Sequence, residues 1–70
     1  MREVLIDALE KQYQAQIAAR DATIKLFLEH PVGVSEHSNI LKNLNRELTK
    51  IAHAEEKLQV LKDYEVPTTE

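Results

Sequence analysis

The stretch that decides the fold is His30-Pro31-Val32-Gly33-Val34. Pro31 disfavours a helical conformation at His30 and cannot donate the next hydrogen bond of a helix. Gly33 permits the positive φ angle that a chain reversal uses. The rest of the first 66 residues contains neither Gly nor Pro. The stretch therefore predicts a break between two long helices.

The segment before the break has the period of an α-helix. Its apolar residues recur at steps of three, four and seven, which places them on one side of a helix. They are Ile6, Leu9, Tyr13, Ile17, Ile24 and Phe27 or Leu28. Arg20 and Asp21 interrupt this stripe. We predict a helix over about 3–29.

The segment after the break has a more regular stripe, close to a heptad pattern. It contains Ile40 or Leu41, Leu44, Leu48, Ile51, Ala54 or Glu55, Leu58 and Leu61. Ser35 is the predicted N-cap, with Glu36 in the first turn, and Ser38 is an alternative cap. We predict a helix over about 36–64, followed by a flexible tail at 65–70.

The predicted connection, at about residues 30–35, is short, so the two helices must be antiparallel neighbours. The predicted fold is therefore an all-α, antiparallel two-helix hairpin spanning 1–64. Folding the chain at Gly33 predicts which residues face each other. The predicted pairs are Ile24 with Leu41, Ile17 with Leu48, Tyr13 with Ala52 or His53, and Leu9 with Glu56.

A single hairpin leaves most of each helix exposed, and this chain of 70 residues has no cysteine to stabilise it. Further apolar side chains lie beside the two stripes. Those that we predict to form an oligomer interface are Ala15, Ala22, Leu26, Ala52 and Val60. Alternatively, the alanines simply favour helix and tolerate exposure. We expect a homodimer that closes a coiled-coil-like four-helix bundle, because one self-complementary surface is enough for twofold symmetry.

Composition argues against several classes of protein. The formal net charge is −3 and the basic residues are spread along the chain, so a dedicated nucleic-acid-binding protein is disfavoured. The longest apolar runs, such as Val4-Leu5-Ile6, are far shorter than a membrane span or the core of a signal peptide. We expect a cytoplasmic protein that does not contact a membrane.

Two groups of side chains deserve comparison with metal sites. His30 and His37, with Glu36, flank the connection, and His53 shares a helical face with Glu56. A zinc site needs three or four well-placed ligands. Interaction of His30 with the end of the first helix, and an ordinary charged face at His53, explain these residues equally well. We expect no metal and no cofactor.

Glu10 is the residue that the predicted pairing could place opposite His53 and Glu56. Arg20 is expected to pair with Glu47 across the hairpin, and binding of an anionic ligand is the alternative. Tyr13 lies on the core stripe and is expected to pack there, whereas Tyr64 could be packed or free.

The bend is the most distinctive segment. Val32, Gly33, Val34 and His37 could form a partner-binding tip, or the two valines could cap the end of the core. The chain has no Gly-rich phosphate loop, no nucleophile elbow and no pair of catalytic carboxylates. We therefore expect no enzymatic activity.

The segment Pro31-Val-Gly-Val-Ser-Glu-His37 and the later Ala54-Glu-Glu-Lys-Leu58 together carry a resemblance. They resemble short uncharacterised helical proteins of large tailed bacteriophages, over about the second half of the chain. Such proteins have no agreed activity, so the resemblance assigns no functional residue. It implies a phage accessory protein in the host cytoplasm.

Three functions remain as hypotheses at this point. The first is a non-enzymatic oligomer that acts by protein–protein binding, as an accessory, adaptor or inhibitor. The second is an oligomer that holds a small anionic ligand or a metal between subunits, through Arg20, Tyr13, His53 or Glu56. The third is an accessory nucleic-acid-binding factor, whose basic residues would be Lys42, Arg46 and Lys50.

Overall fold

In a computed structural model, residues 1–30 and 37–65 are described, except for the side chains of residues 37 and 38. Helix α1 covers Arg2–Glu29 and helix α2 covers His37–Leu61. A 3-10 turn, Lys62–Tyr64, continues α2. The described residues contain no strand. The predicted all-α architecture is therefore confirmed.

The end of α1 follows from the proline next to it. His30 leaves the helix with φ −135° and ψ 72°, while its backbone N–H still donates to the Leu26 carbonyl at 2.8 Å. Its φ lies in the range that a following proline favours, and its ψ is outside the helical region that a following proline disfavours. The α-helical part of α2 ends at Leu61, three residues before the predicted Tyr64, because the last turn tightens to 3-10 geometry. The predicted cap at Ser35 lies outside the described residues.

The two helices pack against each other as an antiparallel hairpin of 55 × 18 × 15 Å. At one end of the hairpin, the Arg2 guanidinium donates a hydrogen bond to the Tyr64 carbonyl. In the middle, Arg20 contacts Glu47. No helix in the described part of the chain is long and apolar enough to cross a membrane.

The least exposed residues define the seam between the helices, and they alternate at steps of four and three along both. In α1 the seam residues are Ile6, Glu10, Tyr13, Ile17, Arg20, Ile24 and Phe27. In α2 they are Ile40, Leu44, Glu47, Ile51, Ala54, Leu58 and Leu61. This alternation is the heptad pattern of a coiled coil. Thr23 and Asn43 are half-buried beside the seam.

The core inside this seam is thin. Among the described residues the buried apolar side chains are Ala54, which is 3% exposed, and Leu61, and no large side chain is fully buried. The chain exposes 5585 Å², whereas a compact monomer of 8.0 kDa exposes about 4,500 Å². One hairpin thus leaves about a quarter more surface in water than a protein of its mass usually does.

The predicted register is wrong by one to three residues. Leu41 and Leu48 were expected in the seam opposite Ile24 and Ile17, but they are 67% and 54% exposed. Glu47 is buried instead of Leu48. One residue corresponds to a rotation of about 100° around a helix, so a small register error turns a side chain out of the core.

The same shift changes the other predicted pairs. The alternation of the seam brings Leu44 to the level of Ile24, Ile51 to that of Ile17 and Ala54 to that of Tyr13, in place of Ala52 or His53. Glu10 takes the seam position that Leu9 was expected to fill. The physical reason lies in α2, which has a second heptad stripe one residue along from the seam. Burial of that stripe, which contains Leu48, would also have buried Glu55 and Lys62 in place of Ala54 and Leu61.

Candidate functional site

The hairpin has two broad sides, which we call flanks, and the seam determines which residues lie on each. In an antiparallel pair, residues that directly follow a seam residue lie on one flank, and residues that directly precede one lie on the other. Two surface depressions confirm this assignment. One contains Gln14, Glu55 and Lys62, which follow seam residues. The other contains Gln16, Lys50 and Lys57, which precede them.

The first flank carries exposed leucines near the connection. Leu28, Leu41 and Leu48 each follow a seam residue, and they are 65%, 67% and 54% exposed. We call the side that carries them the leucine flank. Full burial of such a side chain is worth about 1.5–3 kcal/mol. The three leucines are therefore the largest unused source of apolar stabilisation on this flank.

Charged side chains on the leucine flank are balanced and partly paired. The Lys11 ammonium lies 2.8 Å from the Asp7 carboxylate, and that of Lys25 lies 3.0 Å from the Asp21 carboxylate. In each pair, the hydrogen bond to the aspartate, helped by the attraction between the charges, raises the pKa of the lysine above its ordinary value. Glu55 and Lys62 complete a set of three acidic and three basic residues. The positions directly after seam residues therefore carry no net charge, while Glu10 and Glu65 line a depression on the same side and add negative charge near the helix termini.

The opposite side, which we call the basic flank, has a different charge pattern. Arg46, Lys50, His53 and Lys57 each directly precede a seam residue of α2. In the described part of the chain, no Asp or Glu occupies a position directly before a seam residue. The charges at these positions are therefore all of one sign, although the whole chain is acidic and Glu56 lines a neighbouring depression with Lys57 and Val60.

A shallow depression of about 220 Å³ lies in the middle of the basic flank. Its lining comes from both helices: Gln16, Arg20, Lys50, His53, Ala54 and Lys57. Apart from Ala54, every lining residue carries an N–H donor or a positive charge. The depression therefore has the chemistry of an anion site.

Two contacts fix cationic groups around this depression. Arg20 donates from Nη1 to Oε1 of Glu47 at 3.3 Å, which confirms the predicted pair. The Lys57 Nζ lies over the Tyr13 ring, 5.6 Å from its centroid, within range of a cation–π interaction. Tyr13 is half-buried in the seam, so the predicted packing role is confirmed.

The basic flank also has an apolar group near the helix termini. Leu5, Leu9 and Val60 each precede a seam residue and are exposed, and the exposed Tyr64 is on the next turn after Val60. This group could compete with the leucine flank as an interface. Two copies that met through it would, however, bring the basic residues of both chains together.

The predicted oligomer interface is exposed but divided between different sides. Ala52 follows a seam residue and so lies on the leucine flank, whereas Leu26 and Val60 lie on the basic flank. Ala15 and Ala22 face away from α2, on the outer side of α1. All five residues are exposed. Their participation in an interface stays a prediction.

The structure does not bring Glu10 together with His53, and the candidate group of His30, Glu36 and His37 lies partly outside the described residues. His53 lines the depression with Gln16 and Arg20, whereas Glu10 lines one with Gln14 and Glu55 on the leucine flank. The expectation that Glu10 lies opposite His53 is therefore wrong, and the register shift is the cause. Among the described residues, no group of three His, Asp or Glu side chains could hold a metal ion.

The predicted partner-binding tip is largely beyond the described residues. Val32, Gly33 and Val34, with the neighbouring Glu36, lie outside them. His37 is the first residue of α2. Its binding role stays a prediction.

Sequence reasoning missed the leucine flank and found only part of the basic flank, because it grouped Arg46 and Lys50 with Lys42 and not with His53 or Lys57. Leu28 and Leu41 were alternatives for the core, Leu48 was assigned to it, and the basic residues were described as spread along the chain. The signal was present: Lys50 and Lys57 are seven residues apart, with His53 between them. Only the correct seam shows that these residues share one side with Arg20.

Comparisons with protein-family models, with curated proteins and with solved structures find no match to this chain. The resemblance to phage proteins therefore stays a prediction.

Proposed function

We propose that this chain is a non-enzymatic helical protein that acts by protein–protein binding, and that its first partner is a second copy of itself. The observation that carries the proposal is the exposure of Leu28, Leu41 and Leu48 on one flank of a hairpin with a thin core. Two such flanks packed face to face make a four-helix bundle about a twofold axis.

The area supports a second copy as the occupant. A stable interface of standard size buries about 800 Å² on each partner. The flank extends along a hairpin of 55 Å, and the chain exposes 5585 Å² in all. Packing of two flanks would therefore bring the exposed surface per chain close to that of an ordinary compact protein.

The charges support the same choice of flank. Asp7 and Lys62 follow seam residues at the same level of the hairpin, Ile6 and Leu61. When two copies pack with their connections at the same end, Asp7 of one lies level with Lys62 of the other. The basic flank offers no such complement, because none of its positions directly before a seam residue carries an Asp or Glu that could face Lys50 or Lys57 of the second copy.

The experiment compares two leucines that lie on opposite flanks but are similarly exposed. Leu28 and Leu26 are 65% and 59% exposed, and both are in α1. We expect the wild-type chain to sediment as a dimer at micromolar concentration. The Leu28→Lys variant should weaken the dimer by roughly 100-fold or more, since each dimer would bury two unpaired ammonium groups at a cost of about 3 kcal/mol or more. The Leu26→Lys variant should remain a dimer.

A second matched pair in α2 guards against a variant that fails to fold. Leu48 and Val60 are 54% and 52% exposed, on opposite flanks. Leu48→Lys should dissociate the dimer and Val60→Lys should not, with helicity followed by circular dichroism. A fully helical wild-type monomer at micromolar concentration contradicts the proposal. Dissociation by Leu26→Lys and Val60→Lys alone would instead support the interface predicted from the sequence.

A further inference from the structure

We propose that the basic flank binds a chain of phosphate groups, in the depression formed by Gln16, Arg20, Lys50, His53 and Lys57. This inference goes beyond self-association, and it does not depend on it, because the depression and the exposed leucines lie on opposite flanks.

The lining carries the argument for an anion. Five polar side chains from two helices surround a depression of about 220 Å³, and each can donate a hydrogen bond. A phosphate group accepts several hydrogen bonds at once and is bound by Arg and Lys side chains. Glu47 is the nearest acidic group on the seam, and its carboxylate is already bound to Arg20.

The spacing carries the argument for several phosphates instead of one. Lys50 and Lys57 are two helical turns apart, which corresponds to roughly 10.5 Å between their Cα atoms. Arg46 extends the same row by one more turn. A single phosphate cannot contact the whole row, whereas a polyphosphate or a phosphodiester chain can lie along it.

The charge of the whole chain does not oppose this binding. The formal net charge is −3, but charges further away than about 8 Å are largely screened at physiological salt. The acidic residues of the leucine flank lie across the thickness of the hairpin from the depression. A ligand on the basic flank therefore experiences mainly Arg46, Lys50 and Lys57, and Glu56 is the acidic residue beside Lys57.

The test uses two probes that share this chemistry but differ in source. One is a labelled single-stranded oligothymidylate of about twelve nucleotides, a length within the usual site sizes for such strands. The other is inorganic tripolyphosphate. Fluorescence anisotropy measures the first, and calorimetry measures the second. Binding of the oligothymidylate alone assigns the site to a nucleic-acid backbone, and tight binding of tripolyphosphate assigns it to a small polyphosphate. Either result supports the proposal.

Two double variants make a matched control. Lys50→Gln with Lys57→Gln removes two charges from the basic flank, and Lys11→Gln with Lys25→Gln removes two from the leucine flank. We expect the first pair to weaken binding at least tenfold and the second to change it less than about twofold. With about three phosphates neutralised, raising the salt from about 50 to about 200 mM should weaken oligothymidylate binding roughly 20-fold.

Three results would overturn the inference. The first is that the wild-type chain binds neither probe at millimolar concentration. The second is that both double variants weaken binding equally. The third is that a polyglutamate of equal charge binds as tightly as the oligothymidylate. Sedimentation and circular dichroism of the same samples report the dimer and the fold. Failure of phosphate binding is thereby distinguished from failure of self-association.

Discussion

The leucine flank and the basic flank are built by the same two helices, yet they differ in what they leave exposed. On the leucine flank, Lys11 and Lys25 are each paired with an aspartate one turn away, and apolar surface is exposed beside these pairs. On the basic flank, Lys50 and Lys57 border a depression lined by other donors. A two-helix protein can thus separate a surface suited to its own copy from a surface suited to an anion.

The largest effect on stability is expected from a change in the seam, because separating the two helices destroys both flanks at once. Ala54 is buried where the helices meet, so Ala54→Asp forces a larger, charged side chain into the seam, and the cationic groups beside it offset only part of the cost of burying that charge. A small domain has only about 3–5 kcal/mol of stability, and burying such a charge costs a comparable amount. We expect the helical signal in circular dichroism to be lost at room temperature.

Ala52→Asp is the matched control for this change, because Ala52 is exposed two residues earlier in the same helix. Its effect on thermal stability should stay small. Retention of a cooperative melting transition by Ala54→Asp would show that the seam is not where the structure has it.

A smaller loss of stability is expected when the ion pair between Arg20 and Glu47, which borders the basic flank, is broken. Arg20→Leu leaves Glu47, which is 8% exposed, without its partner, at a cost of about 2 kcal/mol. Glu47→Leu leaves the more exposed Arg20, whose guanidinium can reach water, at a cost of about 1 kcal/mol. The double variant should be close to the wild type in stability, because apolar residues can replace a buried pair.

Thermal unfolding at one fixed protein concentration measures these differences. Arg46→Leu removes an exposed arginine of the same flank and should change the melting temperature little. If Glu47→Leu lowers the stability as much as Arg20→Leu does, then the two side chains of the pair are equally buried, which contradicts the structure.

The smallest effect concerns the paired lysines of the leucine flank. Because the hydrogen bond to Asp7 raises the pKa of Lys11, this pair stabilises the fold below the ordinary lysine pKa and is lost as the pH rises through the raised value. Lys25 with Asp21 behaves in the same way. Both lysines are fully exposed, so the change in stability near and above pH 10.5 should be slight.

An NMR titration of the lysine side-chain carbons isolates this effect. The midpoint for Lys11 should lie above the ordinary value of 10.5 and should fall towards it in Asp7→Asn. The Lys25 midpoint in the same variant is the internal control and should not move. An unchanged Lys11 midpoint would mean that the pair with Asp7 does not form in solution.

The sequence predicts those features of this structure that depend on neighbouring residues, and it predicts less well those that depend on residues far apart in the chain. Pro31 and Gly33, with no Gly or Pro inside either helical segment, were enough to predict two helices and their antiparallel packing, because these signals are local. The register was not predictable in the same way. The residues of α2 form two overlapping heptad stripes, one with Glu47 and one with Leu48, and apolarity alone favours the leucine.

The choice between the stripes depends on residues that are far apart in the chain. Glu47 is acceptable in the seam because Arg20 reaches it from the other helix. The flanks follow from that choice, since a turn of about 100° exchanges a seam residue for a flank residue. The pairing of Arg20 with Glu47 was predicted, but its consequence for Leu48 and for the two flanks was not.

The contact between Arg2 and the Tyr64 carbonyl has a practical consequence for anyone who attaches a label or a fusion to this chain. It places the start of α1 beside the end of α2, so an attachment before Met1 and one after Glu65 would leave from the same end of a rod 55 Å long. A dye at that end would sit far from the leucines near the connection. It would report the tumbling of the whole rod, and so its assembly, with little disturbance of the leucine contacts.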